Sequence, residues 1–289
     1  MNAGRALLVN SMPKSGTFLL RKVVELLGFR HFGRPQGALG RMWHEQGFGM
    51  PIDLNHESVR SRLAYRFQRR PAPSERVPIG VTSPIEIPAR LFRRWMGSLL
   101  PGSYILGHVP WSLAARDVLS ELGVKQVLII RDPRDVYVSF LHYVVRPAHE
   151  LSESFGSMSP EERAAMVLDG GFAGPSGRRI AGVSETLRSI AEWKSSAECL
   201  FVKFENLVGE KGGGSREAQI EECLRITGHL GIGIERGSIP QLCDQFFDTS
   251  SPTFRRGRAG AWRDEISPAV LERLNDLSRD FLREFGYER

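Results

Sequence analysis

A lysine and two hydroxyl residues surround a glycine near the start of the chain, in Ala6-Leu7-Leu8-Val9-Asn10-Ser11-Met12-Pro13-Lys14-Ser15-Gly16-Thr17. This combination suits the binding of an anion. Lys14 brings a mobile cation, and Ser15 and Thr17 bring hydroxyl donors. The apolar run before them reads as a buried strand. After them, apolar residues at 19, 20, 23, 24, 26 and 27 have helical spacing, and Gly28 is placed to end that helix. The loop therefore opens a helix N-terminus, where unpaired N–H groups and the helix dipole favour negative charge. A Walker A loop carries its lysine directly after the second glycine. Here Lys14 precedes the glycine and the loop is shorter.

Two further segments suit anions. In Val127-Leu128-Ile129-Ile130-Arg131-Asp132-Pro133-Arg134-Asp135, an apolar strand ends at Arg131, whose guanidinium offers a planar fork of donors. Asp132 and Pro133 fit the cap and first turn of a helix, and Ser139 lies about two turns into it. Near the C-terminus, Phe254-Arg255-Arg256-Gly257-Arg258-Ala259-Gly260-Ala261-Trp262 reads as a basic, glycine-broken loop before a helix. Histidines stand at 31, 44, 56, 108, 142, 149 and 229. His108 is distinguished by ending the strand-like run Tyr104-Ile105-Leu106-Gly107, since ligands of open α/β sheets bind at strand ends.

Pro13-Lys14-Ser15-Gly16-Thr17 resembles the 5′-phosphosulfate loop of the sulfotransferases that use 3′-phosphoadenylyl sulfate (PAPS). Arg131 with Ser139 resembles their 3′-phosphate motif, and Arg255-Arg256-Gly257 followed by Gly260 and Trp262 resembles their C-terminal Arg-Lys-Gly loop and Gly-Asp-Trp. The likeness runs in family order from residue 5 to 265. It implies an α/β fold, a P-loop-NTPase-like parallel sheet flanked by helices. It implies PAPS as sulfuryl donor, PAP as product, and no metal. Lys14 then matches the lysine at the bridging oxygen. Ser15, Gly16 and Thr17 match the 5′-phosphate loop, while Arg131, Ser139, Arg255, Arg256 and Gly257 match the 3′-phosphate subsite. His108 matches the general base, and Phe204 matches a tyrosine beside the adenine.

Several positions depart from the family. The loop often continues Thr-Thr-Trp with the Trp on adenine. Here it continues Thr17-Phe18-Leu19, so the stack falls to Phe18 or another aromatic, Phe246 or Phe247. A second lysine found two residues before the histidine in some members is Leu106 here, and the Asp of Gly-Asp-Trp is Ala261.

The chemistry implied is transfer of a sulfuryl group to a hydroxyl, ahead of an amine, of a small-molecule acceptor. By analogy with phosphoryl transfer, positioning and charge stabilisation dominate. A histidine, with an unperturbed pKa of about 6.5, suits removal of the acceptor proton. Two alternatives are a P-loop kinase or NTPase, with Leu128–Asp132 as a Walker B-like strand, and a non-catalytic PAP-binding module. The net charge of +6 suits a polyanionic ligand, and no zinc-finger or RNA-binding signature points to nucleic acid. Arg62, Arg66, Arg69 and Arg70 on one helical face within 60–70 suggest a basic surface that attracts an acidic acceptor or a carrier-bound one.

The elements that must position these residues follow from pattern. Strand-like runs at 6–10, 79–82, 103–108, 126–131 and 199–204 alternate with helical patterns, as in a parallel α/β sheet. Residues 1–289 are expected to form one domain, with 30–78 and 141–182 as insertions walling the acceptor site. Gly209–Ser215 reads as a flexible surface loop. Three widely spaced cysteines point to a reducing compartment. A first strand at about residue 5 leaves no room for a signal peptide, and no run of about 18 apolar residues occurs. The expectation is a cytoplasmic enzyme without membrane association, its oligomeric state left open.

Overall fold

The computed structural model describes residues 4–33, 37–68, 72–147, 149–174, 177–247 and 255–288. Five strands form a parallel sheet. They are β1 (Leu7–Ser11), β2 (Arg30–His31), β5 (Ser103–Gly107), β6 (Lys125–Ile130) and β9 (Cys199–Lys203), in spatial order β2-β5-β1-β6-β9. β1 lies at the centre and is buried at every position, which is why it reads as a continuous apolar run. Two antiparallel pairs stand apart from this sheet: β3 (Arg76–Ile79) with β4 (Ile85–Pro88), and β7 (Gly170–Ala173) with β8 (Arg178–Ala181).

Side chains alternate to two cores. Leu7, Val9, Tyr104, Leu106, Val127 and Ile129 pack under the helices Thr17–Leu26 and Arg216–Leu230. Leu8, Ile105, Leu128 and Ile130 pack on the opposite face, against Ala89–Gly97, Leu113–Glu121 and Val183–Ala191. A third core joins the helix Pro133–Val144 to residues 151–180 and to Trp262 and Leu274. The C-terminal ends of β1, β5 and β6 lead into the segments carrying Lys14, His108 and Arg131, the end of an open α/β sheet where ligands bind.

Several expectations are corrected. The strand expected at 79–82 belongs instead to the separate β3–β4 pair, while the fifth strand of the main sheet is the two-residue β2. The stretch 141–182 contains the β7–β8 hairpin. No basic helical face forms over 60–68. The helix there spans Leu63–Arg66, and Arg62 is buried, donating to Ser61 Oγ and the Phe48 carbonyl. Arg69 and Arg70 lie outside the described residues, as does Phe254 of the basic loop. Gly209–Ser215 is not a free surface loop. Gly212 is buried, its carbonyl accepts from Ala259 N–H at 2.9 Å, and an added Cβ would stand 2.7 Å from the Gly257 carbonyl oxygen. Among the described residues no helix is long and apolar enough to cross a membrane.

Candidate active site

The cradle begins with an unusual backbone. Lys14 is the one non-glycine residue with positive φ (72°) among those described, and Gly16 follows at φ 108°. Each left-handed L-residue costs roughly 1–2 kcal/mol, so the packing around the loop must impose this turn. Ser15 supplies part of that packing: its hydroxyl donates to the carbonyls of Met12 (2.6 Å) and Ile129 (3.0 Å), and its own N–H to Met12 O. Ser15 is fully buried, so it ties the loop to β6 and offers no hydroxyl to a ligand, contrary to expectation. Gly16 is required by space as well as by φ, because a Cβ there would stand 2.7 Å from Phe204 Cδ2. Gly16 caps the helix Thr17–Leu26 without a side-chain hydrogen bond, leaving the first-turn N–H groups without a cap from that residue.

One cavity of about 440 Å³ brings the predicted residues together. Its lining includes Lys14, Gly16, Thr17, Phe18, His108, Arg131, Ser139 and Phe204, with Phe246, Phe247, Arg255, Arg256 and Gly257 completing the predicted set. Apart from Ser15, every residue predicted for the site lines this cavity. Phe246 is fully buried in the core, whereas Phe18 and Phe247 keep partial exposure. The Arg131 guanidinium covers the Phe204 ring at 4.3 Å, so this ring acts as a floor beneath the arginine.

Arg131 is buried and oriented through one end of its guanidinium. One nitrogen donates to the Arg258 carbonyl at 2.7 Å and lies 3.4 Å from an Asp135 oxygen, while Nε is buried with no hydrogen-bond partner. A buried donor in this state is costly, and an anionic ligand would satisfy it. Asp135 accepts the N–H groups of Gly260 (2.7 Å) and Trp262 (3.0 Å), so it holds the C-terminal basic loop against this helix. Gly212 braces the same loop from the other side. Arg255 and Arg256 both pair with Glu265, which also bonds His142 at 2.8 Å. Burial raises the Glu265 carboxyl, but His142 and the two arginines outweigh it and hold the group ionised.

His108 is held by Ser11. Its Nδ1 is 2.8 Å from the Ser11 carbonyl, which can only accept, so Nδ1 carries the proton of the neutral ring and Nε2 is left as the basic nitrogen. Ser11 Oγ joins this nitrogen (3.2 Å) to Thr17 Oγ1 (2.7 Å). Burial pushes His108 below the ordinary histidine value, which keeps it neutral. Burial also lowers Lys14, to about 8, followed by the charges of Arg146, Arg131 and Arg255; its ammonium lies 4.4 Å from the Tyr143 ring.

Asp132, the carboxylate that a Walker B reading requires, is committed elsewhere. It caps its helix through Arg134 N–H and forms an ion pair with the Arg134 guanidinium. Sequence reasoning missed Asp135, Gly212 and Tyr143. The i+4 spacing of Tyr143 from Ser139, and of Asp135 from Arg131, was an available signal. No sequence signal pointed to Gly212.

No family model matches the sequence, and no curated protein sequence matches it. Solved structures match its fold. A mouse sulfotransferase, SULT7A1, complexed with PAP superposes with a TM-score of 0.56 at 18% identity, over 97% of this chain and 85% of that one. Retinol dehydratase in complex with androsterone and inactive cofactor PAP gives 0.56 at 17% identity, over 98% and 81%. The same enzyme with retinol and PAP gives 0.55 at 16%, over 96% and 81%. The chain has the α/β fold of these solved structures, as the sequence motifs implied.

Proposed function

We propose that this protein is a PAPS-dependent sulfotransferase acting on a hydroxyl, ahead of an amine, of a small-molecule acceptor. One observation carries the reading. A single cavity joins a helix N-terminus with Lys14 and Thr17, a second cation set of Arg131, Arg255 and Arg256 with Ser139, and His108. Two separated anion subsites and a neutral base suit a donor with phosphates at both ends of an adenosine. The unpartnered Arg131 Nε, a buried donor in the cavity lining, supports this fit. The matched retinol dehydratase structures contain androsterone and retinol, which supports a small-molecule acceptor.

PAPS, when bound, supplies the sulfuryl group and a phosphate leaving group. Thr17 and the first-turn N–H groups hold the 5′-phosphate, while Arg131, Ser139, Arg255, Arg256 and Gly257 hold the 3′-phosphate. Phe18 and Phe247 provide the rings beside the adenine. Lys14 stabilises negative charge as it develops on the leaving oxygen. His108 accepts the acceptor proton at Nε2 while Ser11 fixes its tautomer. The chain acts as one domain, with 30–78 and 141–182 walling the acceptor side.

Thermal stability measured with PAP, ADP and Mg·ATP in parallel tests this reading. A ligand at about 100 times its Kd adds roughly 2.7 kcal/mol to the folded state. A large upward shift with PAP and little with ADP is expected. A shift with Mg·ATP and none with PAP would replace this reading with a kinase or NTPase. His108→Ala with undiminished kcat would remove the assigned base, and PAP binding without turnover of any acceptor would leave a non-catalytic module.

A further inference from the structure

We propose that Asp53 is a positioning residue for His108, a carboxylate held on the His108 side of the sheet so that the ring can carry a proton during turnover. This rests on His108 as the base of the proposed transfer.

The sheet dictates the placement. Tyr104 and Leu106 face the core under Thr17–Leu26, and Ile105 faces the opposite core. His108, two residues beyond Leu106, continues the first face. Residues 52–54 run beside the end of β5 as a parallel bridge: Leu54 N–H donates to Leu106 O at 2.8 Å, and His108 N–H donates to Leu54 O at 2.9 Å. Leu54 belongs to the opposite core, so Asp53, one residue earlier, projects to the side of His108. A second contact agrees. Asp53 Oδ1 lies 3.0 Å from His31 Nε2, and the His31 ring packs on Tyr104, on that same face, with centroids 5.1 Å apart.

The charges around the ring single out this carboxylate. From β1 come the Ser11 carbonyl and hydroxyl; across the cavity stand Lys14 and Tyr143. The helix Thr17–Leu26 contributes Arg21 and Glu25, and Glu25 is already bonded by Arg21 and by the Tyr104 hydroxyl. His56 follows the bridge and pairs with Glu150. Asp53 pairs with His31, and its charge acts on His108 against the effect of burial. Burial keeps the free imidazole neutral and ready to accept a proton, but the imidazolium so formed is costly in that place. A carboxylate on this face of the sheet offsets this cost through its charge.

The test is a histidine NMR titration on the full-length free protein, with the His108 signal assigned by its loss in His108→Gln. Asp53→Asn keeps the shape of the side chain and an acceptor for His31 while removing the charge. The His108 midpoint should move to lower pH in Asp53→Asn and return in Asp53→Glu. His31→Gln, which keeps the carboxylate but loosens it, should shift the midpoint less. With PAPS and 2-naphthol, whose hydroxyl stays protonated at pH 7, as probe acceptor, the acid limb of kcat should move with the titration, and kcat at pH 7 should fall about three- to tenfold in Asp53→Asn. An unmoved midpoint overturns the proposal. Undiminished turnover by His108→Gln overturns it through the base assignment instead, and the two failures are read on separate instruments.

Discussion

Affinity for PAP should fall steadily between pH 7 and pH 9 because of Lys14. In the free protein burial, and then Arg146, Arg131 and Arg255, bring this ammonium down to about 8. It is then about nine-tenths protonated at pH 7 and about one-tenth at pH 9. The phosphates of the nucleotide, with second pKa near 6, stay ionised throughout. If the anion requires the protonated lysine, Kd weakens about tenfold over that interval, or about 1.4 kcal/mol. Isothermal titration at pH 8 in buffers of different ionisation enthalpy should show uptake of about half a proton on binding. Lys14→Met should abolish both the uptake and this slope. The same shift bears on stability. The folded pKa lies below the ordinary lysine value of 10.5, so the cost of the buried charge is fully present below about pH 8 and is relieved as pH rises from there toward 10.5. Lys14→Met should therefore raise the Tm of the ligand-free protein at pH 7, by at most about 3 kcal/mol of stability. A wild-type Kd that is flat from pH 7 to 9, or a slope retained in Lys14→Met, would refute the reasoning.

Gly16→Ala combines a left-handed φ of 108° with a Cβ 2.7 Å from Phe204, the floor under Arg131. It should cost about 2–4 kcal/mol in denaturant unfolding and weaken PAP binding at least about tenfold. Gly212→Ala drives a methyl into Val208 and toward the Gly257 carbonyl; it should loosen PAP in calorimetry although residue 212 does not line the cavity. Asp135→Ala strands the N–H groups of Gly260 and Trp262 and should lower stability by about 2–4 kcal/mol, with faster proteolysis of the 255–262 loop. Unchanged nucleotide affinity in Gly212→Ala would separate the brace from the site.

The cradle was legible because it is local. The apolar run of β1, the Lys14–Thr17 loop and the helical spacing after it are set within about twenty residues. The same holds for β6, Arg131 at its end, Asp132, Pro133 and the helix carrying Ser139. Short-range propensity and burial period specify such units. The two-residue β2 has no period to read, and β3 alternates in burial without saying which sheet it joins. Composition misled at Arg62, which reads as a surface charge and is buried, and at the glycine run 212–214, which reads as a flexible surface loop and packs.

From the amino-acid sequence alone followed the residue types for binding two anions, the base candidate His108, and a parallel α/β sheet. The tertiary structure decided which atoms of those residues are available. Ser15 turns its hydroxyl to a carbonyl 114 residues away, Asp135 holds Trp262 across 127, and the 52–54 bridge sets Asp53 on the His108 side of the sheet. Hydrogen-bond partners and the direction of a strand's face depend on which distant segments pack together. Local propensity carries no information about that pairing, so these assignments come only with the folded chain.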